Sequence, residues 1–270
     1  MDSVSSPYIP TEDETFVTLA RGDFLKLSGD GVFATLQGEG MTAGTESVFL
    51  RLQNCNLHCG ANGQGWSCDT WYTWDKTRPE YWQETTNVSV DEVAERIRMA
   101  WADSYGAQDA KQPVPNLVIT GGEPLLQQRR IVPLLRALPG WTVEIETNGT
   151  IAPREELENC QINCSPKLES SGNPLSLRRR MAVLERIAEL PNHWFKFVIT
   201  QNSFEEDVAE VQELFSHGFM NPDRVLLMCE GSDAQALREN HPKVALVARE
   251  LGFTAVERHH VFWFGNKRRT

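Results

Sequence analysis

An α/β fold assembled from parallel β-α units is what this sequence predicts, and three observations carry the expectation. At 270 residues the chain can bury a sizeable core and still form a single domain over 1–270. From residue 116 onward, short runs rich in β-branched and aromatic residues alternate with longer stretches of helical periodicity. Strands separated by helices of that length pair in parallel, and right-handed crossovers wrap them into a barrel, a partial barrel or an open doubly wound sheet. Periodicity does not choose among these three.

The elements follow in order. The opening MDSVSSPYIPTEDETF is polar and acidic with no apolar h-region, so residues 1–20 read as a mobile tail. Nowhere do eighteen uncharged apolar residues run together, and a cytoplasmic protein without membrane association is expected. VFATLQGEGMTAG and ESVFLRLQNC read as two strands joined by a turn bounded by Gly38, Gly40 and Gly44. A loop with Cys55, Cys59 and Cys68 comes next. Ser89 and Glu92 then have capping-box spacing, and Val90, Val93, Ile97 and Trp101 recur at helical intervals, which predicts a helix over 90–104.

NLVIT (116–120) is a buried strand by composition, PLLQQRRIVPLLRAL a helix strained near Pro133, and WTVEIET (141–147) and CQINCSP (160–166) are strands. PLSLRRRMAVLERIAEL is helical, WFKFVIT (194–200) a strand, SFEEDVAEVQELFSHG a helix, and RVLLMC (224–229) a strand. A last helical region over about 233–251 stops at Gly252, and HHVFWF (259–264) reads as a final strand capped by His259 and His260.

Ligands of parallel α/β folds collect at the carboxyl ends of the strands. TGGEP (120–124), ETNGT (146–150), SPK (165–167), TQN (200–202) and MCEG (228–231) stand there, and the cysteine loop leaves an earlier strand in the same way. A net charge of −11 argues against a broad phosphate-backbone surface and hence against direct nucleic-acid binding. The basic runs LRRRM (177–181) and NKRRT (266–270) read as a solvated helix face and a charged tail.

Six cysteines are too few for a disulfide scaffold in a chain of this length, which favours ligands over bridges. Thiolates suit both zinc and iron–sulfur clusters, and His58 is the local candidate for a fourth zinc ligand. Cys160, Cys164 and Cys229, scattered over strand ends, read as core residues. Three thiols would leave one iron of a cubane without a protein ligand, open to a small molecule. In GGEP, Gly121 and Gly122 would let backbone amides approach such a ligand, while Glu123 could accept from its ammonium group.

In combination these segments resemble the radical S-adenosylmethionine (SAM) superfamily, and more narrowly the 7-carboxy-7-deazaguanine synthase family. The resemblance rests on QGEG (37–40), FLRLQNCNLHC (49–59), CDT (68–70), ITGGEPLLQ (119–127), ETNGT (146–150), SPK (165–167) and FKFVI (195–199), in order, with FWFGNK (262–267) near the end. One departure stands out: eight residues, GANGQGWS, separate Cys59 from Cys68 where the superfamily has two. Glycines at 60, 63 and 65 ease the longer excursion, whose closure entropy grows only logarithmically.

The resemblance implies a partial (β/α)6-type radical SAM barrel with some helices reduced. It also implies a [4Fe–4S] cluster held by Cys55, Cys59 and Cys68, with SAM on the open iron. The implied reaction converts 6-carboxy-5,6,7,8-tetrahydropterin to 7-carboxy-7-deazaguanine with loss of ammonia. Gly121, Gly122, Glu123, Ser165 and Lys167 would contact SAM, and Thr70 would bind Mg2+ while Asp69 fixes the loop. Gln37, Gly38, Glu39, Arg51, Glu146, Thr147 and Asn148 would hold the pterin. Strand alternation puts Arg51 on the cluster's side, where its fork suits a carboxylate, the competing reading being a buried Arg–Glu pair. A flavodoxin or ferredoxin electron donor and a homodimer are implied as well. The rivals are another radical SAM enzyme, such as a glycyl-radical activase, and a zinc-stapled binding module without catalysis.

Overall fold

The computed structural model describes residues 23–63, 65–106, 114–265 and 267–268, so the tail expected over 1–20 lies outside the described residues. Among the described residues, nine strands form one sheet: β1 (Phe24–Leu36), β2 (Glu46–Leu52), β3 (Thr85–Ser89), β4 (Asn116–Gly121), β5 (Thr142–Thr147), β6 (Gln161–Cys164), β7 (His193–Ile199), β8 (Val225–Cys229) and β9 (Thr254–Val256). Their spatial order is β3-β1-β2-β4-β5-β6-β7-β8-β9. β1 pairs antiparallel with both β2 and β3, whereas every pair from β2 through β9 is parallel. The parallel run therefore holds the six expected strands, and three-residue β9 extends it.

Helices α1 (Pro79–Gln83), α2 (Val90–Tyr105), α3 (Gln128–Ala137), α4 (Leu175–Arg178), α5 (Met181–Ala188), α6 (Phe204–Ser216), α7 (Ala234–Leu251) and α8 (His259–Phe264) fill most crossovers. The β5–β6 connection carries only a 3-10 turn, Glu155–Leu157, so one crossover helix is reduced, in keeping with the reduced helices that the resemblance implied. Ser89 caps α2 by accepting from the Glu92 backbone N–H at 3.3 Å. Pro133 is carried inside α3, which runs through it unbroken. α4 and α5 are separate helices rather than one, because the chain turns at Arg179 and Arg180.

Alternation sorts the sheet into two faces. Val48, Leu50, Leu52, Leu117, Ile119, Ile145, Ile162, Phe195, Phe197 and Leu227 join one core with Val93, Ile97, Ile131, Leu134, Ile187, Val211 and Val244 from the helices. The opposite face is polar near the strand ends: Ser47 and Arg51 on β2, Asn116 and Thr120 on β4, Glu144 and Glu146 on β5, Asn163 on β6, Lys196 on β7. Cys160, Cys164 and Cys229 are buried core residues, as their scattered placement suggested.

Two elements differ from the sequence expectation. HHVFWF is helix α8, and the final strand is Thr254–Val256. A run of bulky residues satisfies either period, and the outcome follows from tertiary contact: the His259 N–H donates to the Gly38 carbonyl at 2.8 Å, turning the chain back toward β1. His259 and His260 therefore open a helix instead of capping a strand. β3 has no strand signature in the sequence, since TTNVS has a single buried position and is held mainly by its ladder to β1.

Candidate active site

Asn54 takes a left-handed conformation (φ 78°) at the end of β2, which asparagine tolerates better than most residues, and so aims the chain into the cysteine loop. Its side chain accepts from the Tyr81 hydroxyl at 2.6 Å, and its carbonyl from the Glu123 N–H at 2.8 Å. A cavity of about 550 Å³ opens beyond it, bordered by Cys55, Cys59 and Cys68 together with Gln37, Gly38, Glu39, Arg51, Thr70, Gly121, Gly122, Glu146, Thr147, Asn148, Ser165 and Lys167. Every predicted site residue except Glu123 lies on this one wall set.

The thiols each have a polar neighbour. Cys55 Sγ accepts from the Leu57 N–H at 3.4 Å, Cys59 Sγ from Asn173 Nδ2 at 3.2 Å, and Cys68 Sγ lies 3.4 Å from Thr70 Oγ1. Burial, with the Glu123 charge adding to it, pushes the Cys55 thiol well above its ordinary value, and burial pushes Cys59 up to about 11. Any metal bound through these two sulfurs would have to displace their protons. Among the described residues, no three His, Cys, Asp or Glu side chains converge on one ion-sized point.

His58 does not join them. Its ring stacks on Trp74 at 4.8 Å and is not among the residues that border the cavity.

The GGEP turn is organised differently from the sequence expectation. The Gly122 and Glu123 N–H groups donate to the Leu52 and Asn54 carbonyls, so these amides face β2 rather than a ligand. A side chain on either glycine would collide with that same backbone, which is why the strands need glycine here. Glu123 is fully buried: Oε1 accepts from the Leu125 N–H and Thr147 Oγ1, both at 2.9 Å, and Oε2 from the Asn148 N–H at 2.7 Å. It locks the GGEP turn to ETNGT from behind the cavity wall.

Gln37 is likewise engaged by its own turn. Its Oε1 accepts from the Gly38 and Glu39 N–H groups, and Nε2 donates to Glu144 and Glu146 at 3.4 Å. Glu144 collects further donors from Thr42, Asn116, Gln161 and Asn163, making a polar layer beneath the cavity. Asn148 bonds to Asn56 at 2.9 Å, and Lys167 donates to Ser165 Oγ at 2.9 Å.

Arg51 faces the cavity as alternation required. Its guanidinium stands 5.5 Å from the Phe33 ring centroid, and it makes no ion pair among the described residues, which removes the Arg–Glu alternative.

Sequence reasoning missed two cations of this site. Lys196 Nζ lies 2.6 Å from Glu39 and 3.2 Å from Glu146, and Arg258 bonds Glu39 at 3.0 Å and Asp69 at 2.6 Å. Burial opposes ionisation of Glu39, but Lys196 and Arg258 outweigh it and hold the carboxyl well below the usual range. Burial instead raises Glu146, against the pull of Lys196. A lysine between two phenylalanines of a buried strand was the available signal for Lys196; Arg258 had none. His260 also borders the cavity, packed on Gly38.

The run at 177–181 departs from the solvated reading, since Arg178 is 4% exposed and pairs with Glu210. In NKRRT, Lys267 and Arg268 are exposed as expected, with Arg268 standing 3.6 Å over the Tyr72 ring and bonding Glu84 at 2.7 Å; residues 266, 269 and 270 lie outside the described residues.

No family model matches the chain. The 7-carboxy-7-deazaguanine synthase of Rhodopirellula baltica is 32% identical over 249 residues, covering 88% of this chain and 86% of that one. Those of Pyrobaculum aerophilum and Halobacterium salinarum are also 32% identical, covering 88% and 89% of this chain and 94% and 91% of theirs. The crystal structure of QueE from Escherichia coli superimposes with a TM-score of 0.57 at 23% identity, covering 88% of this chain and 95% of that one, a likeness of fold. With identity of this level sustained over nearly the full length of both partners, the chain belongs to the 7-carboxy-7-deazaguanine synthase family.

Proposed function

We propose that this protein is a radical SAM lyase that converts 6-carboxy-5,6,7,8-tetrahydropterin to 7-carboxy-7-deazaguanine with release of ammonia, a step of queuosine-type 7-deazapurine biosynthesis. The observation that carries the reading is one cavity bordered by three thiols together with Arg51, a guanidinium without a carboxylate partner among the described residues. Cys55, Cys59 and Cys68 would hold a [4Fe–4S] cluster, and such a cluster together with SAM would supply the radical chemistry that the reaction needs.

The chain's own residues do the positioning. Arg51 pairs with the substrate carboxylate through its planar fork. Glu39 and Glu146 face the aminopyrimidinone edge, and Lys196 between them fixes how much negative charge the pair presents. Gln37, Gly38, Thr147 and Asn148 keep the surrounding turns in register. Ser165 and Lys167 contact the SAM carboxylate and ribose, with Gly121 and Gly122 forming the floor and Glu123 bracing it. Thr70 offers a hard oxygen to Mg2+. A flavodoxin or ferredoxin delivers the electron, and the enzyme works as a cytoplasmic homodimer. The packing of His58 disfavours the zinc module, and the full-length identity to deazaguanine synthases disfavours an activase.

The test is anaerobic reconstitution, reduction, and incubation with SAM, Mg2+ and the carboxytetrahydropterin, followed by mass spectrometry for the deazaguanine acid. Full cluster loading and SAM cleavage without that product would overturn the substrate assignment.

A further inference from the structure

We propose that Asn173 is a positioning residue for the iron–sulfur centre, donating a hydrogen bond to the Cys59 sulfur that raises the cluster's reduction potential. The inference rests on the reading of Cys55, Cys59 and Cys68 as cluster ligands. Asn173 is 8% exposed, and its Nδ2 lies 3.2 Å from Cys59 Sγ and 3.1 Å from Ser171 Oγ. The orientation of the amide follows from its other end. Oδ1 accepts from the His58 backbone N–H at 2.9 Å, and a main-chain N–H can only donate, so the NH2 group must face the sulfur.

The segment that carries Asn173 is clamped from both sides. Arg178 donates to the Asn173 carbonyl at 3.2 Å and to the Lys167 carbonyl at 3.1 Å, bracketing residues 167–173. Arg178 is itself paired with Glu210, which also accepts from the Glu169 N–H at 2.8 Å. From the other side the extended cysteine loop is tied down, with the Gly60 and Trp66 N–H groups donating to the Ser171 and Ser170 carbonyls, both at 3.1 Å. A side chain on Gly65 would strike the Ser170 carbonyl oxygen, so the loop and this segment are in direct backbone contact. The extra residues between Cys59 and Cys68 thus dock on the same segment that presents the donor.

A donor held in a buried site keeps its geometry when the cluster changes charge. Hydrogen bonds to ligand sulfur stabilise the reduced, more negative state and shift the couple upward. The carboxamide is the only side-chain donor to Cys59 among the described residues.

The test uses the reconstituted full-length holoprotein and an EPR-monitored redox titration of the [4Fe–4S]2+/1+ couple. Asn173→Leu removes the donor, and Asn173→Asp keeps the shape while replacing the donor with an acceptor. Both are expected to shift the midpoint to a more negative potential, Asp more than Leu, at unchanged iron content and circular dichroism. An unchanged midpoint in a fully loaded variant overturns the proposal. Protein exchanged into D2O provides a second check. Pulsed ENDOR of the reduced cluster should show, beside the couplings from the donors to Cys55 and Cys68, a further exchangeable deuteron coupled through the Cys59 sulfur that the Asp variant loses if it loads; identical exchangeable couplings in wild type and a loaded Asp variant also overturn the proposal. Wild-type protein that forms no [4Fe–4S] centre at all would instead sink the functional reading.

Discussion

Lys196→Met tests the electrostatics of the site most directly. Lys196 is 7% exposed and stands between Glu39 at 2.6 Å and Glu146 at 3.2 Å. Removing one member of a buried ion pair costs about 3–5 kcal/mol, because an uncompensated charge is left behind. The low end applies here, about 3 kcal/mol, since Glu39 keeps Arg258 at 3.0 Å and Glu146 keeps the Asn163 amide at 2.9 Å. Glu146, already raised by burial, responds by taking up a proton. A carboxyl whose folded pKa lies above its unfolded one destabilises as pH rises between the two values, by about 1.4 kcal/mol per pH unit. The variant's deficit should therefore shrink toward acid pH and widen toward neutrality. Glu39, lowered in the folded state, contributes the opposite dependence: stability present above its unfolded pKa and lost as pH falls through the folded value. The assay is anaerobic urea unfolding at several pH values, with Lys196→Met/Glu146→Gln recovering part of the loss. A pH-independent deficit below about 1 kcal/mol would refute the reasoning.

Three further outcomes are expected. Arg51→Lys loses the planar fork, and kcat/KM for the pterin should fall roughly 10- to 100-fold, about 1.5–3 kcal/mol, with SAM affinity unchanged by equilibrium binding. Gly65→Ala forces a side chain onto a residue at φ 74° and against the Ser170 carbonyl, so limited proteolysis within residues 60–68 should accelerate by the roughly 5- to 30-fold that about 1–2 kcal/mol implies. His58→Ala removes a ring stacked on Trp74 and no ligand, and iron analysis should still find about four irons per chain; loss of all metal from a folded variant would revive the zinc reading.

Strand alternation was legible wherever one face is apolar, and it located Arg51 correctly because β2 buries Val48, Leu50 and Leu52 on the other side. The Ser89 cap was legible because capping is a local contact across three residues. Helix α8 was not, since bulky residues in succession fit both periods and the choice fell to a hydrogen bond with Gly38, far back in the chain. The burial of Arg178 was equally hidden. A basic residue on a helix is ordinarily solvated, and only the loop of residues 167–173 folded against it turns it inward.

By itself the sequence determined the parallel β-α succession, the three thiols on one loop and the polar strand ends that meet at one mouth, because these depend on residue type and short spacing. Tertiary structure alone decided which charges are neighbours: Lys196 with Glu39, Arg258 with Asp69, Asn173 with Cys59. Each of those pairs joins residues more than a hundred positions apart, brought together by the convergence of strand ends, and no local periodicity encodes that distance.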